Sequence, residues 1–327
     1  MSGAPIFGMA VDYLRHQVAR ITAPKHSFNL WQGDPRNPTT RYCNPGFEGR
    51  YSTWSDSDNP ENYQNRTVAN SIPCDYTPES FGYLQNKQGF RCDDFDGMTK
   101  NSPAGELRIA FVGCSITYGV GVPLEVVWAH QLVTYLRSAY PHLRIPYINL
   151  AKGGKSIDYC VRVLKNFTDH VDVDLVLLLL PDPRRAELCL HHQSFTEYLR
   201  NFSVNAPHLP DKERRAIQAW DDNFSCNENF LQYSLLKNFS MLDLLSEARN
   251  FSYLWSTWYE PMTITEWVYP QHRERCLNVP FQSISPDRKL ARDGMHPSAW
   301  SHRAFVEGIL PSVLPRVEKI LDSKTRT

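Results

Sequence analysis

The chain has no long hydrophobic run. Its longest, "LVLLLL" at 175–180, is strand-sized, far short of the roughly 20 apolar residues that a membrane-spanning helix needs. Neither charge is in excess: 35 Lys and Arg stand against 35 Asp and Glu, a formal net charge of zero. That balance leaves no electrostatic footprint for nucleic acid or for an anionic membrane, so neither is an expected partner. The first residues, "MSGAPIFGMAVDYLRHQ", lack a basic leader followed by an apolar stretch, so no secretory signal is expected. The eight cysteines include no C-x-x-C pair and no metal-finger spacing. They are expected to be reduced core residues, with no disulfide framework and no metal.

What is there suits a folded globular protein: 42% hydrophobic and 12% aromatic residues in 327. From Ala23 to about Pro103 the texture is irregular, rich in Pro, Asn, Asp, Tyr and Trp, with turn formers every few residues. Residues 1–105 therefore read as an arm or lid, with a short helix near 9–21.

Regular alternation begins at Glu106. "LRIAFV" (107–112), "IPYINL" (145–150) and "DLVLLLL" (174–180) are strands apolar on both faces, and "FSYLWSTW" (251–258) is a further candidate. Between them lie helical stretches at 124–140, with Trp128, Leu132 and Leu136 on one face, and at about 156–167, 185–200 and 227–248. A last helix begins near Ala299, where Pro311 and Pro315 are expected to interrupt or kink it. Doubly apolar strands alternating with amphipathic helices indicate an α/β fold with a parallel sheet covered on both sides, over residues 106–327, with an insert around 201–226.

Three stretches bear on chemistry. "GGKS" (153–156) has the ending of a phosphate-binding loop, G-x-x-x-x-G-K-[ST], but Asn149 stands where its first glycine belongs. "IAFVGCSITYGVGVP" (109–123) places Ser115 just past the first strand, between Gly113 and Gly119. A serine there is either a helix cap or a nucleophile at the carboxyl edge of the sheet, where open α/β folds hold ligands. In "RDGMHPSAW" (292–300), Asp293 and His296 stand three apart. One turn can bring that carboxylate against the imidazole, fixing its tautomer; the alternative is an ordinary surface loop.

"FVGCSITYG", "INLAKGG" and "DGMHPSAWSHRAF" together resemble the first, second and last blocks of the SGNH/GDSL hydrolases, over about residues 106–321. The resemblance implies a three-layer α/β/α sandwich around a five-stranded parallel sheet of flavodoxin-like order, and ester hydrolysis without a cofactor. It implies Ser115 as nucleophile, His296 as general base and Asp293 as its orienting carboxylate, with the Ser115 and Gly154 N–H groups receiving the oxyanion. Two departures stand out. Cys114 replaces the usual aspartate of the first block. "PDPR" (181–184) replaces the third block, so Pro183 stands where an asparagine would donate to the oxyanion. Arg184 or Arg185 is the candidate substitute, or a contact for an anionic substrate; ion pairing with Asp182 or Glu187 is the alternative.

O-acetyl groups on a polysaccharide are the substrate class the family suggests. "YLQNKQGFR" (83–91) is similar to relatives with an extra N-terminal segment, some of them phage-encoded, which implies a virion-borne protein as one expectation; with neither a secretory signal nor a membrane span seen, the cytoplasm is the other. Two rival readings remain open: a binding or virion structural protein on a hydrolase scaffold, and an O-acyltransferase using the same triad. "CLHH" (189–192) is half of a metal site with no second cluster to complete it, and "NFSYLWSTWYEPMTITEW" (250–267) reads as core or as a sugar-stacking surface.

Overall fold

Strands apolar on both sides must be covered on both sides, and the computed structural model shows how. It describes residues 49–190, 194–198, 215, 218–219, 221–225, 227–258, 264, 266–282 and 286–325. The expected helix near 9–21 and most of the 201–226 insert lie outside the described residues.

β1 (Tyr51–Ser52) and β2 (Tyr83–Leu84) form a small antiparallel ribbon. β3 (Ile109–Val112), β4 (Tyr147–Asn149), β5 (Leu175–Leu180) and β8 (Ser252–Thr257) form the parallel sheet, in the order β4-β3-β5-β8. Ile109 faces Tyr147 on one side and Leu175 on the other, and Leu175 faces Ser252.

The pleat sorts the side chains between two cores. Ala110, Val112, Ile148, Val176, Leu178, Tyr253 and Trp255 point to one face, under the helices Ile157–Thr168 and Glu228–Arg249. Ile109, Phe111, Tyr147, Leu175, Leu177 and Leu254 point to the other, under the helices Trp128–Ala139 and Ala299–Thr325. This is the expected three-layer α/β/α sandwich.

Three expectations are corrected. Among the described residues the sheet has four strands, not five; the fifth place, beside β8, is taken by the extended run 275–281. That run bonds to β8 too sparsely to count as a strand: Trp255 N–H to Arg275 O at 3.0 Å, Leu277 N–H to Trp255 O at 2.9 Å, and Phe281 N–H to Thr257 O at 2.8 Å. The stretch 185–200, read as helical, contains β6 (Ala186–Leu190) and β7 (Ser194–Tyr198), an antiparallel hairpin in which Ala186 faces Tyr198 and Leu190 faces Ser194. Leu188 and Leu190 alternate with Glu187 and Cys189, but Phe195 and Tyr198 stand three apart, so the stretch is too short and mixed for periodicity alone to decide. Finally, of interruption or kinking at Pro311 and Pro315, interruption is overturned: both lie inside one helix running from Ala299 to Thr325. Each proline removes one N–H donor, yet Phe305, Val306, Ile309, Val313 and Val317 are buried along the same helix, and that burial offsets the loss.

Residues 49–105 hold the β1–β2 ribbon and helical turns over Pro60–Val68, and the part after Gly82 packs into the domain. Phe90, Phe95 and Met98 belong to the core under Ile157–Thr168. Asp93 covers the outer edge of β4: its N–H donates to Tyr147 O at 3.1 Å and its Oδ2 accepts the Tyr147 N–H at 2.9 Å.

Candidate active site

The carboxyl ends of β3, β4 and β5, with the turn before the last helix, hold the candidate residues. After β3, Ser115 opens a one-turn helix, Ser115–Tyr118, closed by Gly119. Ser115 is 7% exposed. Its hydroxyl meets only the Cys114 sulfur, at 4.0 Å, and is not hydrogen-bonded to His296.

After β4, the Asn149 side chain fixes the next loop. Its Nδ2 donates to Thr117 O and to Tyr147 Oη, both at 2.7 Å, and its Oδ1 accepts the Ala151 N–H at 3.1 Å. Asn149, the residue that spoils the phosphate-loop motif, thus ties the β4 loop to the Ser115 helix. Gly154 has φ +71°, which any other residue adopts only under strain. Ser156 then caps the helix Ile157–Thr168, accepting the Tyr159 N–H at 3.4 Å, and Lys155 Nζ lies 5.5 Å from the Tyr159 ring centre. As read from sequence, Lys155 and Ser156 begin a helix.

After β5, the two arginines separate. Arg184 grips Asp182 through Nε at 3.0 Å and Nη2 at 2.7 Å, the ion pair named as the alternative. Arg185 is buried and crosses to the β4 loop, its Nη1 donating to Lys155 O at 3.4 Å.

The last loop carries the strongest geometry. His296 Nδ1 and Asp293 Oδ2 are 2.6 Å apart. A carboxylate only accepts, so Nδ1 carries the proton and Nε2 is left as the base. Asp293 is fully buried, and it also accepts the backbone N–H groups of Met295 and His296, each at 3.0 Å, and the Ser57 hydroxyl at 2.9 Å. Burial alone pushes the Asp293 carboxyl up, but the His296 charge and these hydrogen bonds overcome it and bring it down to about 2. For His296, burial favours the neutral ring. The Asp293 charge and hydrogen bond outweigh it, with help from Asp56 and against Arg185, and the imidazole is raised above its ordinary value. The loop is stitched to the chain leaving the Ser115 helix, where Gly121 O accepts the Arg292 N–H at 2.9 Å.

Sequence reasoning missed the strap that closes the site. "SDSD" (55–58) makes a two-residue turn, with Ser55 N–H to Asp58 O at 2.9 Å and Asp58 N–H to Ser55 O at 3.1 Å. Ser57 reaches Asp293, as above. Asp56, at φ +62°, leans on Gly153: a Cβ built there would lie 1.5 Å from Asp56 Oδ2. Turn chemistry is visible in these four residues, but their partners near 293 are 234 to 236 positions away.

The other candidates fall away from the site. Trp255 and Tyr253 are core residues, Trp255 Nε1 donating to His272 O at 2.6 Å. The rest of that aromatic insert is only partly described, and His191 and His192 lie outside the described residues. Among the described residues no group of three or more His, Cys, Asp or Glu could hold a metal ion, and no helix is long and apolar enough to cross a membrane.

No family model and no curated protein matches the sequence. Solved structures do. One is a two-domain esterase active on acetylated mannans, 15% identical with a TM-score of 0.38, covering 67% of this chain and 51% of that one. Another is a member of the lipolytic G-D-S-L family from Veillonella parvula, 11% identical with a TM-score of 0.36, covering 63% and 97%. A third is Axe2, an acetylxylan esterase from Geobacillus stearothermophilus, 17% identical with a TM-score of 0.35, covering 62% and 94%. The chain spans about half the length of the mannan esterase. Likenesses at this level leave the assignment to the chain's own geometry.

Proposed function

We propose that the chain is a serine ester hydrolase of the SGNH/GDSL type. The observation that carries this reading is the buried Asp293 holding His296 Nδ1 at 2.6 Å, in a loop bonded to the chain that follows Ser115. The reaction requires the Ser115 hydroxyl, now against Cys114, to turn toward His296 Nε2 when substrate binds. Ser115 Oγ then attacks the acyl carbonyl while its proton passes to Nε2, and Asp293 stabilises the imidazolium. The Ser115 and Gly154 N–H groups receive the oxyanion. Nε2 returns the proton to the departing alcohol, and water, activated by the same nitrogen, releases the acid and frees Ser115.

Arg185 completes the anion site in place of the missing third-block asparagine. It is buried, it is anchored to the loop that carries Gly154, and its charge reaches His296. O-acetylated carbohydrate is the substrate class that fits best, because the cleft beside the site combines apolar surface with the polar groups of Ser55, Asp56, Gln85, Lys152 and Lys155.

Turnover of p-nitrophenyl acetate by wild type against Ser115→Ala tests the reading. The expected loss is at least 10³-fold; equal rates would end it. The open Ser115–His296 contact favours one rival, a binding protein on a hydrolase scaffold. That rival predicts no labelling by a fluorophosphonate probe, whereas the hydrolase reading predicts stoichiometric labelling at Ser115.

A further inference from the structure

Asp56 and Ser57 stand side by side in the strap yet touch opposite walls of the site. Ser57 Oγ bonds Asp293 on the histidine loop, and Asp56 Oδ2 rests on Gly153 of the loop that carries Gly154. Beyond Asp56 opens a cleft of about 220 Å³, lined by Ser55, Asp56, Gln85, Tyr118, Lys152 and Lys155 among others. Asp56 both lines that cleft and lies near enough to His296 for its charge to act on the ring, so it stands where the cleft and the candidate dyad meet.

The turn is held on every side. Ser55 Oγ lies 3.2 Å from Tyr118 Oη, Tyr118 Oη accepts from Gln85 Nε2 at 2.8 Å, and the fully buried Asp58 accepts from Tyr83 Oη at 2.5 Å and from Arg292 Nη2 at 2.6 Å. The backbone at Asp56 is left-handed, which costs energy for any residue with a Cβ and persists only where the surroundings impose it. Yet Asp56 itself is exposed, and its carboxylate makes no hydrogen bond to another described residue. An acceptor carried on a fixed turn at the edge of the cleft is complementary to a donor on the incoming molecule. The donors abundant beside an ester in a sugar or polyol are hydroxyls.

We infer that Asp56 is a specificity-determining residue, accepting a hydrogen bond from a hydroxyl of the alcohol half of the ester and so selecting polyol esters over simple alkyl esters. The inference rests on the hydrolase reading above. Because the turn that carries the acceptor is fixed before binding, only the Asp56 side chain itself has to be ordered, and a charge-assisted bond is among the stronger ones. The same carboxylate repels ester alcohols that carry negative charge.

The test compares glyceryl monoacetate with propyl acetate, which share the acetyl group and a three-carbon primary alcohol and differ in two hydroxyls. Wild type is expected to favour glyceryl monoacetate by about tenfold in kcat/KM, the size of a charge-assisted hydrogen bond. Asp56→Gly removes the carboxylate and suits the left-handed backbone, so the variant is expected to fold. Its preference falls to about one, while Asp56→Asn, which keeps an acceptor without the charge, falls between. A wild type with no preference, or a preference that survives in Asp56→Gly, overturns the assignment while leaving the hydrolase intact. A wild type that cleaves neither ester, nor p-nitrophenyl acetate, overturns the hydrolase reading and this assignment with it.

Discussion

Arg292 and Asp58 form a fully buried ion pair, Nη2 to Oδ2 at 2.6 Å, across 234 positions of sequence. The guanidinium also donates to Thr53 O at 2.6 Å, Pro78 O at 2.9 Å and Phe81 O at 3.1 Å, and lies between the Trp54 and Phe81 rings at 4.2 and 3.9 Å. Its neighbour in sequence is Asp293. One side chain therefore fastens the N-terminal strap to the base of the candidate dyad.

Breaking a buried pair by removing one partner leaves an uncompensated charge. Arg292→Met is expected to cost about 3–5 kcal/mol of stability, read as a lower midpoint in urea unfolding at unchanged slope. An unaltered midpoint would show that the strap contributes nothing to the fold.

The acid limb of activity follows from His296. It acts as a base only when neutral, and its imidazole is raised above 6.5, so kcat/KM is expected to climb with a midpoint above pH 6.5. The charged groups acting on the ring are Asp293 and Asp56, which raise it, and Arg185, which lowers it; His302 senses the His296 charge in turn. Asp293→Asn should move the limb to lower pH and reduce kcat by about 10⁴-fold. Stability runs the opposite way for His296: its contribution is complete below pH 6.5 and fades as the pH passes the raised value. A limb that stays in place in Asp293→Asn would assign the titration to another group.

Arg185 and Arg184 are expected to behave differently. Arg185→Ala should lower kcat by about 10²- to 10³-fold with little change in KM, as for a lost oxyanion donor. Arg184→Ala removes an ion pair from the buried Asp182 carboxylate, so it should reduce thermal stability more than rate. Equal rate losses in the two variants would remove Arg185 from the anion site.

Gly153 and Asp56 should be coupled. Gly153→Ala drives a methyl group into the Asp56 carboxylate, which must turn aside; this exposed side chain can do so at a cost of about 1 kcal/mol. In the Asp56→Gly background most of that cost should vanish. A strictly additive double-mutant cycle would place the two residues out of contact.

Much of this architecture was legible in the sequence because it is local. The doubly apolar run at Leu175–Leu180 and the four-residue spacing of Trp128, Leu132 and Leu136 report burial directly. The Asp293–His296 pair is likewise a matter of one turn. What escaped depends on distant partners: Ser57 and Asp58 find theirs more than 230 positions away, so their sequence shows a turn but not what the turn touches. The hairpin of β6 and β7 escaped for a different reason, since each strand has only five residues and no period repeats often enough to identify it.

The bonding of Asp93 along β4 has a practical corollary. Trimming the protein to residues 106–327, the span where regular alternation is visible, would uncover that strand's free rim and pull Phe90, Phe95 and Met98 out of their seats. Bare sheet borders recruit other chains, so such a fragment should clump instead of working as a minimal enzyme, and the ragged-looking leader must travel with the part it shields.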